Sequence, residues 1–164
     1  MKYILLIAVI LLSVTVTAQV SKVSLQASGL TCSMCSNSIN KALKSVDFVD
    51  KIEANIKTST FDITFKPGKT VDFDKLKSKV EDAGFFVSKF IAHLYFTDVT
   101  IKADQPVTIG DKTFQFVNVK EQVLNGDQPV KIIDKGFVSA KEFKKSGITS
   151  PARTDATRIY HVTI

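Results

Sequence analysis

The chain has 164 residues, 45% of them apolar and 23% charged, with a formal net charge of +6. That composition suits one ordinary globular domain or two small ones, and it excludes disordered, collagen-like and multi-span membrane chains. Two cysteines, Cys32 and Cys35, cannot build a disulfide framework, and the two histidines, His93 and His161, lie too far from that pair and from each other in sequence to suggest a four-ligand zinc site.

The amino terminus reads as an export signal. Lys2 supplies a positive charge, Tyr3 to Val14 is an almost unbroken apolar run, and Val16-Thr17-Ala18 offers modest side chains to a signal peptidase. The run is shorter than the roughly 20 apolar residues that a membrane-spanning helix needs. Residues 1–18 are therefore expected to be cleaved after Ala18, which leaves a periplasmic or secreted chain that does not span the membrane.

Residues 20–92 switch between apolar periods of two and 3.6 in the order β-α-β-β-α-β. Val23, Leu25 and Ala27 alternate as in a half-buried strand, and Gly29-Leu30-Thr31 breaks the pattern. Cys35, Ile39, Ala42, Leu43 and Val46 then recur at helical spacing. Ile52, Ala54 and Ile56 predict a second strand, and Phe61, Ile63 and Phe65 a third that ends at Pro67-Gly68. Asp72 is placed to cap a second helix, with Val71 and Leu76 as a hydrophobic staple, Phe73, Leu76, Val80 and Ala83 on its inner face, and Gly84 closing it. Phe85 to Phe90 supplies the last strand. The expected fold class is α+β, a ferredoxin-like βαββαβ domain over residues 20–92.

Residues 94–164 read as a separate, mostly β domain. Tyr95–Ile101, Thr113–Val119, Pro129–Ile133 and Arg158–Ile164 are the expected strands, with turns at Gly110-Asp111 and Asn125-Gly126. Ser139 to Glu142 forms a capping box for one short helix that Gly147 closes. This pattern predicts a small barrel or sandwich of the OB-like kind, which carries no function by itself. Basic residues are spread evenly: 11 lysines against 8 acidic residues in 20–92, and 10 basic against 8 acidic in 93–164. The densest group, Lys141, Lys144 and Lys145, suits the solvated side of a short helix, so a nucleic-acid partner is not expected.

One motif carries chemistry: Gly29-Leu30-Thr31-Cys32-Ser33-Met34-Cys35. Cys32 falls in the loop after the first strand and Cys35 in the first turn of the following helix. Spacing of i, i+3 across a helix start aims both sulfurs at one point, where the helix dipole favours thiolate. Two thiolates without a third strong ligand suit Cu(I) or its chemical relative Hg(II), whereas Mg²⁺ and Ca²⁺ require oxygen. A thiol-redox pair and an inert structural disulfide are the rival readings of the same spacing. Against the redox reading, the chain has no Trp and no proline between the cysteines.

Residues 20–92 resemble the heavy-metal-associated domain of copper chaperones, copper-ATPase amino-terminal domains and periplasmic mercury-binding proteins. The family pattern G-M-T-C-x-x-C stands here as Gly29-Leu30-Thr31-Cys32-Ser33-Met34-Cys35. Ile39, Ala42 and Leu43 match the first helix face. Val49, Ile52, Ala54, Asn55 and Ile56 match the V-x-x-V-x-V-N-L strand, and Ala83-Gly84-Phe85 the A-G-[YF] before the last strand. The resemblance implies metal ligation by Cys32 and Cys35, with Cu(I) as cargo or Hg(II) as the alternative. It also implies exchange with a copper-transporting membrane protein or another metal-binding protein. The family's Met before Thr-Cys is Leu30 here, nearly isosteric with it, and its Gly in the lead-in to the second strand is Phe48. By the same resemblance Phe85 packs beside the metal loop. Met34 is expected to face solvent or a docking partner, Thr31 to brace the loop, and His93 and His161 to be ordinary polar residues. No paired carboxylates, Ser-His-Asp set or phosphate loop is read from the sequence, and an enzyme is not expected.

Overall fold

The computed structural model describes residues 20–30, 32–148, 153–154 and 157–164. The expected export signal and Thr31 lie outside those residues.

Apolar alternation sets the inner faces of the first strands. In β1 (Val20–Ser28) the side chains of Val23, Leu25 and Ala27 are buried, and β1 pairs antiparallel with β3 (Thr60–Phe65), where Phe61 and Ile63 are buried. β2 (Val49–Asn55) adds to the far side of β3. Helix α1 (Ser33–Lys44) turns Ile39 and Leu43 inward, and α2 (Phe73–Asp82) does the same with Phe73, Leu76 and Val80. With β4 (Phe86–Ile101) against β1, the strand order is β2-β3-β1-β4 and both helices cover one face. This is the expected ferredoxin-like arrangement.

The ends of α2 are set by local chemistry. The Asp72 carboxylate accepts the Lys75 N–H at 3.0 Å. At the other end Gly84, with φ of +88°, lets its own N–H reach the Glu81 carbonyl and that of Phe85 reach Val80. Phe48, the departure from the family pattern, is buried and packs on Phe65 with ring centroids 5.9 Å apart.

The expected junction between residues 92 and 94 is a strand interior. β4 runs 16 residues without a break, because Phe90, Ala92, Leu94 and Phe96 keep the same period-two burial across it. β5 (Pro106–Ile109), β6 (Lys112–Phe116), β7 (Gln122–Ile132) and β9 (Thr157–Thr163) continue the sheet in the order β4-β7-β9-β6-β5, and β8 (Arg153–Thr154) pairs with β9. The second half is thus β-rich as expected, but its strands extend the first sheet instead of forming a sheet of their own. Phe73 of α2 packs against Phe90, Phe114 and Tyr160, and Phe90 against Phe137, so residues of both halves share one core.

Asn125-Gly126, expected as a turn, lies inside β7. The register slips there by one residue between Phe96 and Val99 of β4, and the Asn125 side-chain amide donates to Asp98 at 2.7 Å. The extra residue is on β4, where Asp98 takes a φ of +48°, and Gly126 opposite has φ of +74°. The turn at Gly110-Asp111 joins β5 to β6 as expected. Helix α3 (Ala140–Ser146) starts at Ser139, whose hydroxyl accepts the Glu142 N–H, and ends at left-handed Gly147.

Candidate metal centre

The loop carrying the two cysteines follows from the geometry of β1 and α1. β1 ends at Ser28, and Gly29 turns the chain with φ of +88°, a value that side chains with a Cβ rarely adopt. The Phe85 ring lies beside it, 3.8 Å from where a Cβ on Gly29 would stand. Leu30 and Phe85 are partly buried against the core, which is the packing expected of both. Cys32 then takes the N-cap position of α1 in extended conformation, and its side chain accepts no capping bond from the first turn.

Cys32 and Cys35 come together as the spacing predicts. Their sulfurs are 2.8 Å apart, with Cys32 exposed and Cys35 half-buried. No acidic side chain stands in the first turn of α1, so the positive end of the helix dipole is left for an anionic sulfur or its metal complex. Among the described residues no group of three or more Cys, His, Asp or Glu side chains could hold a metal, and the two sulfurs are the soft donors brought together here. Such a pair fits a soft ion of low coordination number and is a poor cage for a hard one. Met34 is 79% exposed and Phe86 is 68% exposed, on the same end of the molecule as the loop.

The model of the heavy-metal-associated domain matches residues 24–86. The periplasmic component of a mercuric transport protein from Pseudomonas fluorescens is 37% identical over 70 residues, 43% of this chain and 76% of that protein. The chain belongs to the heavy-metal-associated domain family. A probable copper-exporting P-type ATPase from Archaeoglobus fulgidus is 36% identical over 64 residues, 39% of this chain but only 8% of the ATPase's length. The yeast copper transporter domain CCC2A is 33% identical in solution structure, covering 41% of this chain and 90% of that one with a TM-score of 0.37. Membership of the heavy-metal-associated family gives residues 24–86 heavy-metal binding as their property.

The histidines have company that the sequence did not reveal. His93 Nδ1 lies 3.2 Å from Asp127, and the Ser21 hydroxyl donates to the same carboxylate at 3.0 Å. The carboxylate stands between the other two groups, so this is not the serine–histidine contact by which an imidazole activates a hydroxyl. His161 Nδ1 lies 2.7 Å from the buried Asp134, which also accepts from Arg158 at 2.9 Å. Arg158 and the Tyr160 hydroxyl both reach Asp74 of α2, at 3.3 and 3.0 Å. This polar chain ties β9 to α2 and stands apart from the cysteines. Nothing local in the sequence announces either cluster, because the partners are 24 to 106 positions apart.

Proposed function

We propose that the protein carries Cu(I) outside the cytoplasm, held by the thiolates of Cys32 and Cys35. It passes the ion by ligand exchange to a copper-transporting membrane protein or another metal-binding protein, and it is a binder rather than an enzyme. The observation that carries this reading is the pairing of the two sulfurs, 2.8 Å apart at the amino end of α1, with Cys32 exposed. An incoming thiol can reach Cys32 without unfolding anything, which ligand exchange requires. The exposed Met34 and Phe86 offer an apolar rim for the partner during exchange. Among the described residues no helix is long and apolar enough to cross a membrane.

The test is X-ray absorption on anaerobically loaded protein, which should give a sulfur shell with no nitrogen or oxygen neighbour. Serine at either cysteine should abolish tight binding, since a hydroxyl is a hard, protonated ligand at neutral pH. Unchanged binding in Cys32→Ser would refute the assignment.

Hg(II) is the second reading, favoured by the greater share of the mercuric transport component that the chain covers. Metal competition under anaerobic conditions, followed by transfer to a thiol acceptor, separates the two. A Cu(I) carrier releases its ion to the acceptor, whereas a mercury scavenger retains Hg(II) in preference to Cu(I). Export is checked by mass spectrometry of the native chain, which should begin at Gln19.

A further inference from the structure

At the end of the sheet remote from the cysteines, the segment Phe65–Val71 faces the β5–β6 turn across a cavity of about 600 Å³. One wall belongs to the family-matched part of the chain and the other to the added strands, so the cavity exists only because the two are joined. Its size lies within the range of small-molecule sites, which favour such junctions. β1 separates it from the metal loop, since Val20 lines the cavity and Ser28 leads into Gly29. Nine strand residues put roughly 30 Å between them.

The charge in this cavity is unbalanced. Lys66, Lys69 and Lys112 line it against one carboxylate, Asp111. Lys112 is 7% exposed, and its ammonium is held by both oxygens of Asp111 at 2.8 and 2.9 Å and lies 5.3 Å over the Phe73 ring. Asp111 itself is half-exposed, so water weakens that pairing and leaves a buried ammonium that a second anion would stabilise. Lys66 gives one donor to the Asp47 carbonyl at 3.0 Å and keeps two. The apolar part of the lining comes from Val20, Phe65, Pro67 and Val71, with the hydroxyl residues Ser21 and Thr70 beside it. We infer that this cavity binds a small organic anion, its acidic group between Lys69 and Lys112 and its apolar body against Phe65 and Val71. Neither a purely inorganic ion nor a neutral apolar molecule would satisfy both walls.

Phenyl phosphate is the probe, with inorganic phosphate and benzyl alcohol as its two halves, titrated into the whole mature chain and followed by amide NMR shifts. Phenyl phosphate should saturate, with the shifts centred on Lys69, Thr70, Gly110 and Lys112, and its binding should weaken with salt. Lys69→Gln should weaken it at least about fivefold, a charge removed at a site of this kind. Lys57→Gln, at the metal end, should leave it unchanged. Lys112→Gln should weaken it too, and if that variant fails to fold, Lys69→Gln decides. Absence of saturation, equal binding of either half, or equal loss in Lys57→Gln overturns the inference. Cu(I) binding measured on the same samples reports on the cysteines independently.

Discussion

Gly29 holds the metal loop in a conformation that an alanine could enter only at a backbone cost. A Cβ there would meet Phe85 at ordinary van der Waals distance, so crowding adds little and φ of +88° carries the penalty. Gly29→Ala should therefore lower thermal stability by about 1–2 kcal/mol, read from the melting curve. Cys32 has a different task. Metal–thiolate bonds of about 2.3 Å placed in line need sulfurs about 4.6 Å apart, well beyond the 2.8 Å seen here. One thiol must swing outward on loading, and exposed Cys32, at the extended N-cap, has the room. NMR of the Cu(I)-loaded protein should show larger side-chain shifts at Cys32 than at Cys35. The cysteine pair was legible in the sequence because the motif and helix start that place it are local. The Ser21–Asp127–His93 group was not, because β-pairing of distant strands creates it.

Among the elements, α2 has both of its ends written in short-range chemistry. Removing the N-cap with Asp72→Ala should cost about 1 kcal/mol, measured by chemical denaturation, because the Lys75 N–H loses its acceptor. The order of the first six elements was readable from apolar period alone. The full length of β4 is hidden in the sequence, since Phe85–Phe90 and Tyr95–Ile101 each look like a complete strand. Ala92 and Leu94 continue the same buried face, but two apolar positions in so short a stretch give a weak periodic signal. β5 was missed because Pro106 opens it and only four residues follow the strand geometry. Asn125-Gly126 is ambiguous for another reason. Its tolerance of positive φ fits a bulge and a turn equally, and only the opposite strand, with Asp98 accepting from Asn125, decides between them.

Taken whole, the molecule is held together across the expected boundary by aromatic packing and one polar chain. Phe73 is fully buried among rings from both halves, so Phe73→Ala should cost about 3–5 kcal/mol. Probes in both halves should lose structure together in that variant; separate transitions would show that the halves are independent. Tyr160 adds a pH dependence. Burial, then the neighbouring Asp74 carboxylate, pushes its hydroxyl well above the ordinary tyrosine value. The folded state therefore favours the protonated phenol, and this contribution is fully present below about pH 10, where unfolded tyrosine titrates, and is lost as pH rises above that. Melting temperature should fall more steeply above pH 10 in the wild type than in Tyr160→Phe.

The place of β9 in the sheet governs how the chain can be assembled. β9 lies between β7 and β6, although residues 157–163 follow both in sequence. Until it arrives, the β5–β6 hairpin has no strand to join it to the rest, and the edges of β6 and β7 that it will cover stay open. A polypeptide emerging from its amino end thus completes its cysteine loop long before it can complete its sheet. In that interval, two unprotected strand edges are available to neighbouring chains.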